Sequence, residues 1–467
     1  MALMQTDAEL TNEYFDVLDE LDGDIESRRQ AYEYIQGSNA IVHGEVVPTT
    51  FIPKLFSLRT YETMKRASET MHTILEKVIT HYLDDEEYRT LFDFDDRLIE
   101  LILMPRGYDE VIPFMRADIF LNEDTQRFMF CEINADGISG MNTNRQATRS
   151  ISDSDTFRTF AENHKLQACT LLTPYVEAFM DVYEGYEHKR PNPHVAICDY
   201  LDHGVVHEFD ELKERFEARG IEARVIDVRA LRYDDEVLAD EDGWRVDAIL
   251  RRCVTNDVIE FWDESQALIE AVRAQKVALI GSFAGHIVHD KQIFQALFAP
   301  ATQDFLTADE ISFIEQTVPM TAFLDESQVN LAQIAENKDE WIIKPSDHYG
   351  ADNVYAGCDF DAKEWRSLVE RFANGREGYP FIVQRYVTQY KTKTLPSDEG
   401  IESMPDGEVS STPVFYNNLS GLYLYNGTFQ GVYSRLGPNP TISFGAGCVI
   451  AATIWVDADV EGAVDLA

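Results

Sequence analysis

Along residues 60–83, Met64, Ala67, Met71, Ile74, Leu75, Val78 and Ile79 recur at helical spacing. The stripe predicts an amphipathic helix with its apolar side in a core. Residues 7–104 read as helical as a whole, and residues 153–185 return to helix. Between them, 114–118 and 130–134 alternate with period two and predict a strand pair within 111–134. The turn formers Asn122 to Gln126 join the two strands. From residue 192 short apolar runs alternate with helical stretches. Strands are expected at 195–198, 223–227, 246–250 and 277–280, with helices near 205–219 and 257–274. That order predicts a small parallel sheet. No G-x-G-x-x-G turn follows its first strand, so a dinucleotide site is unsupported. Beyond 286, strands are expected at 341–344 and 381–384, then an antiparallel meander over 413–435 and 440–456. The stretch 394–412, rich in Ser, Pro, Gly and acid, reads as a mobile excursion.

These patterns describe an α+β chain with an α/β part. They divide it into N-terminal helices at 1–110, the strand pair and following helix at 111–185, an α/β unit at 190–285 and a mixed remainder at 286–467. A length of 467 residues suits more than one domain.

Composition narrows the function. With 40 basic and 83 acidic residues the formal charge is −43. Nucleic-acid phosphates and anionic membrane surfaces would be repelled. A cationic substrate such as a polyamine would not, although scattered acids also serve solubility. The six cysteines form no C-x-x-C pair and read as reduced, small core residues. The first residues show no signal-peptide pattern, and no run reaches the length of a membrane span. A cytoplasmic protein is expected.

The chemistry concentrates on the strand pair. Arg116 and Asp118 lie two apart on one strand, and Glu132 and Asn134 two apart on the next. Each pair points to one side. The hairpin therefore gathers two carboxylates, an amide oxygen and a guanidinium on one face, expected to look toward solvent. Hard oxygen ligands suit Mg²⁺, and an Arg fork beside them suits a phosphoryl group. An ordinary charged hairpin face would show the same residues. Further along, Lys344 ends an apolar strand before the small-residue loop 345–354 with Gly350, an arrangement that suits phosphate. Lys291 opens a helix behind Asp290, an N-cap residue type. Gln384 begins Gln384-Arg385-Tyr386-Val387, either an adenine-facing hinge edge or a plain edge strand. Arg435 closes Gly431-Val-Tyr-Ser-Arg435 and could pair a phosphate, a carboxylate or a surface acid. Walker and G-x-S-x-G motifs are absent.

Taken in order, these motifs resemble the glutathionylspermidine synthase type of ATP-grasp ligase, and more distantly eukaryotic glutathione synthetase. The matching residues are Arg116-x-Asp118, Glu132-Ile-Asn134-Ala-Asp136, Asp290-Lys291, Ile343-Lys344-Pro345 with Gly350, Gln384-Arg-Tyr-Val and Gly431 to Arg435. Val246 to Arg252 resembles the strand of a pre-ATP-grasp domain. The resemblance covers about residues 40–467. It implies a circularly permuted ATP-grasp fold that binds ATP and Mg²⁺ and joins a small-molecule or peptide carboxylate to an amine through an acyl phosphate. It further implies that Asp118, Glu132 and Asn134 hold Mg²⁺, that Arg116 acts on the transferring phosphoryl group, and that Lys291 and Lys344 hold ATP phosphates. Arg435 falls near phosphate or the acid. The bifunctional members carry an N-terminal amidase with a catalytic Cys. No Cys occurs before Cys131, so synthetase chemistry alone is expected. A non-catalytic nucleotide-binding or scaffold protein, or an ATP-dependent phosphotransferase, would share the same site.

Overall fold

The computed structural model describes residues 5–42, 44–348, 353–375, 379–460 and 462–466. The stripe at 60–83 becomes the helix Leu58–Asp84, with Met64, Ala67, Met71, Ile74, Leu75, Val78 and Ile79 all buried. Helices Asp7–Glu20 and Ile25–Gln36 precede it. Thr6 starts the first by exchanging bonds with Glu9, so two otherwise orphaned N–H groups are satisfied.

The helical expectations fail locally, first where Ile41–Val42 pairs with Glu45–Val46. Lys54–Phe56 is a buried strand, parallel to Thr453–Val456 near the far end of the chain. Leu166–Cys169 is a strand interrupting 153–185, paired with Thr453–Val456 and Ala463–Asp465. Both are too short to carry a period, and their partners lie hundreds of residues away. The expected meander also divides. Val449–Ala451 stays with Thr428–Gly437, but after Ala452 the chain crosses to the other sheet as Thr453–Val456.

The parallel unit forms as expected. Its order is Ala278–Ile280, Ala248–Arg251, Val195–Asp199, Ala223–Asp227, every pair parallel. Val195 to Asp199 is fully buried, as befits an inner strand of such a sheet. The two middle strands end side by side at Asp199 and Arg251, the switch point where open parallel sheets take ligands.

The antiparallel sheet that carries the hairpin runs Val449–Ala451, Thr428–Gly437, Val414–Tyr425, Phe114–Leu121, Phe128–Asn134, with Lys391–Thr394 also on Val414–Tyr425. One face, with Met115, Ala117, Ile119, Leu422, Leu424 and Val432, joins the core that includes the long helix. The other carries Phe114, Tyr423, Tyr425 and Tyr433 and packs with residues of helices Met141–Ser152 and Leu172–Gly185. A smaller antiparallel sheet holds Thr321–Phe323, Phe381–Arg385, Trp341–Pro345 and Tyr355–Ala356 in that order.

The excursion 394–412 is docked rather than loose. Arg28 pairs with Asp398 at 3.1 Å and donates to Ser410 O at 2.8 Å. Arg29 pairs with Asp406 at 2.9 Å and donates to Ile401 O at 3.1 Å. A guanidinium can hold several carbonyls and a carboxylate at once, so two arginines suffice to tie the segment down.

A charge of −43 leaves net self-repulsion after such pairs form. Raising salt shortens the screening length from about 10 Å at 0.1 M to about 3 Å at 1 M. The thermal midpoint is expected to rise over that interval. A level or falling midpoint in a calorimetric salt series would show that attractive pairs outweigh the repulsion.

Candidate functional site

In the hairpin, Arg116 faces Asn134 and Asp118 faces Glu132 across the ladder, with an irregularity just after Asp118. The alternation thus does put the four residues on one face. The expected exposure to solvent is wrong for Asp118, which is 0 % exposed. The tyrosine-bearing face of this sheet is covered by helices, so the fully buried Asp118 carboxylate must be compensated from within.

Compensation is dense. Arg116 Nε donates to Asp118 Oδ1 at 2.8 Å and Nη2 to Oδ2 at 3.2 Å. Arg435 Nη2, from the strand beyond the next, also donates to Oδ2. Asn134 Nδ2 reaches the same oxygen at 3.3 Å. Burial alone would raise the Asp118 pKa; Arg116 and Arg435 outweigh it and hold the carboxyl well below its usual range. Glu132 and Asn134 are half-buried beside this knot.

Gly421 stands between the two arginines' strands and pairs with Asp118. A Cβ there would lie 2.8 Å from both Arg116 Cδ and Asp118 Oδ1. Only a glycine leaves room for two guanidiniums to converge. Gly421→Ala is therefore expected to destabilise by about 1–3 kcal/mol through overpacking, read from the urea midpoint; an unchanged midpoint would mean that the knot relaxes freely. Arg116 Nη1 also donates to Ser139 O at 2.9 Å, as does Tyr423 Oη at 2.7 Å. These fix the turn that leads through Gly140, at φ 104°, into the helix Met141–Ser152.

The lysines are more buried than surface cations. Lys344 is 6 % exposed and donates to Gln384 Oε1 at 2.9 Å. Burial pushes the Cys131 thiol on the hairpin up to about 11, and the Lys344 charge pulls it the other way. Lys291 is 8 % exposed and donates through Nζ to His348 O at 2.7 Å. Its own N–H bonds Ser346 O at 2.9 Å, which lays its segment against the end of the Lys344 strand. Lys291 sits in the turn between the short helices His286–His289 and Ile293–Ala296 rather than opening a helix, although Asp290 does accept from Gln292 N at 2.8 Å. Gln384 is not on an edge: Phe381–Arg385 pairs on both sides, and the Gln384 side chain is spent between Lys344 and Thr321. Gly350 lies outside the described residues.

Asp136, just past the hairpin, connects these parts. It is buried, accepts from Thr255 N at 2.8 Å and pairs with Arg251 from the parallel sheet. His286 Nδ1 lies 3.3 Å from Asp136 Oδ2, and His286 Nε2 lies 3.2 Å from Asp347 Oδ2. Asp347 also accepts from Asn256 Nδ2. Burial would lower the His286 pKa, but Asp347 and Asp136 push it up to about 10. The line Asp136–His286–Asp347 thus runs from the hairpin exit to the segment behind Lys344.

Sequence reasoning named Asp136, Arg252 and Asp347 only within motifs and passed over Glu208 and Ser139. Glu208 is buried, receives Gly140 N at 3.1 Å and Asn142 N at 2.9 Å, and pairs with Arg252 at 3.1 Å. A carboxylate at a helix N-terminus complements its exposed N–H groups. The local signal for Glu208 is an acid on the buried face of the helix Val206–Ala218, where Glu211 is buried beside Phe209, Leu212 and Phe216 as well.

No family model and no curated protein matches the chain. Among solved structures, a glutathione synthetase-like effector from Globodera pallida, in its apo form, aligns with a TM-score of 0.60 at 12% identity, covering 92% of this chain and 96% of that one. A proposed gamma-glutamylcysteine synthetase from Methylobacillus flagellatus aligns at 12% identity over 80% of this chain and 83% of that one, with a TM-score of 0.40. An ATP-grasp ligase, PsnB, complexed with minimal precursor, Mg and ADP, aligns at 14% identity over 57% and 94%, with a TM-score of 0.28. The last two scores are too low to carry an argument. The first shows that the fold is one found in a glutathione synthetase-like protein. No helix among the described residues is long and apolar enough to cross a membrane.

Proposed function

We propose that the protein is an ATP- and Mg²⁺-dependent carboxylate–amine ligase of the ATP-grasp kind. The observation that carries this reading is that two buried lysines, Lys291 and Lys344, stand on adjoining segments that Asp347 and His286 tie to Asp136 at the exit of the hairpin bearing Arg116, Asp118, Glu132 and Asn134, with Arg435 bonded to Asp118. In this reading the ATP-grasp unit is circularly permuted: its hairpin, within 111–185, precedes the α/β unit at 190–285, and its lysines, within 286–467, follow it.

The donor set fits Mg²⁺. Glu132 and Asn134 have oxygens to give, whereas Asp118 would give one only by releasing a guanidinium. The ion would supply charge neutralisation on the phosphates. Lys291 and Lys344 would hold ATP phosphates as fixed cations. Arg116 and Arg435, already oriented by Asp118, would face the phosphoryl group in transfer. The carboxylate oxygen of the acid attacks the γ-phosphorus and ADP leaves. The amine nitrogen then attacks the acyl carbon, phosphate departs, and the nitrogen gives up a proton. Positioning and charge do most of the work in such a transfer. The finer reading, a glutathionylspermidine synthase-like enzyme with a polyamine acceptor, is supported by the order of the motifs and by the charge of −43.

Calorimetry tests the core of this. ATP is expected to bind more tightly with Mg²⁺ than without, and Lys344→Ala to cost about 1.5–3 kcal/mol of ATP binding, as for a lost charge-assisted hydrogen bond. Equal affinity with and without Mg²⁺ would remove the metal from the site. A Lys344→Ala protein that melts early yet binds ATP normally would make Lys344 a packing residue.

A further inference from the structure

Three potential ligand groups outside the hairpin converge at one point. One nitrogen of His286 and one oxygen each from Asp290 and Asp347 lie within 4.8 Å of one another. His286 is 1 % exposed and Asp290 2 %. His286 Nε2 makes no hydrogen bond, although Asp347 Oδ2 is only 3.2 Å away. A buried ring nitrogen beside a carboxylate without a well-formed hydrogen bond, with a second carboxylate oxygen within 4.8 Å, offers a place where a shared cation would replace the imidazole proton. The other side of the ring supports this. Nδ1 lies 3.3 Å from Asp136 Oδ2, and Asp136 is itself fixed by Arg251 and the Thr255 N–H. A carboxylate on the distal nitrogen of a histidine is the arrangement that orients metal-bound imidazoles and strengthens them as ligands. Asp290 is likewise held, accepting from Gln292 N at 2.8 Å and from Gln292 Nε2 at 3.1 Å.

We infer that His286, Asp290 and Asp347 form a second divalent-metal site, separate from the hairpin, that takes a borderline transition ion such as Zn²⁺ or Mn²⁺. One imidazole nitrogen and two carboxylate oxygens suit those ions better than Mg²⁺, which prefers an all-oxygen shell. The placement gives the site a role. Asp290 directly precedes Lys291, and Asp347 lies three residues after Lys344. An ion shared by the two aspartates would clamp both lysine-bearing segments to the hairpin exit through Asp136. The site does not depend on the ligase reading, because its ligands and its test involve neither ATP nor a substrate.

The full-length protein, stripped with chelator and titrated with Zn²⁺ or Mn²⁺ alone without nucleotide, is expected to take up one ion at this site, Zn²⁺ the more tightly. Pulsed EPR of the Mn²⁺ form should show coupling to a coordinated imidazole nitrogen. His286→Gln should abolish that coupling, and Asp290→Asn should weaken binding. Asp136→Asn leaves all three ligands in place, and its effect on affinity is expected to be about tenfold or more. Glu132→Gln should leave both the Zn²⁺ affinity and the nitrogen coupling unchanged. Absence of saturable binding would overturn the assignment, as would Mn²⁺ without nitrogen coupling in the unmodified protein. So would an affinity indifferent to His286→Gln and Asp290→Asn. The nitrogen signal needs no variant, so a variant that folds poorly does not blunt the test.

Discussion

Asp118→Asn is expected to lower stability by about 3–5 kcal/mol, the range for removing one partner of a buried ion pair. The substitution keeps the volume and removes the charge. Arg116, 8 % exposed, and the largely buried Arg435 would then oppose one another across Gly421 with no carboxylate between them. The urea midpoint is the measurement. The sign of the pH dependence follows from the same geometry. The Asp118 pKa is held down in the folded protein, so its contribution is complete above the ordinary carboxylate value of about 3.9. It fades as pH falls through that range toward the lower folded value. The variant should lack this part of the acid limb. An Asp118→Asn protein as stable as the parent, but unable to use ATP, would make Asp118 a ligand first and an anchor second.

The second large effect should come without any loss of stability. Glu132 faces Asp118 in the register, but it is half-buried and is not the carboxylate on which the two guanidiniums converge. Glu132→Gln keeps the side chain's volume and leaves both guanidiniums on Asp118, so the urea midpoint is expected to stay within about 0.5 kcal/mol of the parent. Turnover of Mg-ATP, measured as ADP release with acids and amines from a screen, should fall roughly 10²–10³-fold, the scale for removing one group that stabilises charge in transfer. Near-parental ADP release would make the hairpin face structural. Together the two variants separate residues that hold the site in shape from residues that act in it, a division that the shared motif does not reveal.

Three parts of this protein are legible in its sequence because each is recorded in local periodicity. The stripe from Met64 to Ile79 is a helix face, since side chains three and four apart align in a helix. The apolar runs at 195–198, 223–227, 246–250 and 277–280 make a parallel sheet, and helices after the first and third of them supply the crossovers that parallel neighbours require. Arg116, Asp118, Glu132 and Asn134 share a face because strands alternate with period two. The tertiary structure alone decided what covers that face. Periodicity states which way a side chain points and is silent on whether water or a helix meets it. Asp118 is buried for that reason, and Arg435 reaches it from more than three hundred residues away. The strands Lys54–Phe56 and Leu166–Cys169 escaped notice because so few residues show no period, and each exists through pairing with Thr453–Val456. The excursion 394–412 has a composition that suggests freedom, yet Arg28 and Arg29 hold it from the second helix. The line Asp136–His286–Asp347 joins three segments that no local pattern relates. Such contacts arise from packing between distant segments, where burying a charge makes a partner necessary without marking in the sequence which residue it will be.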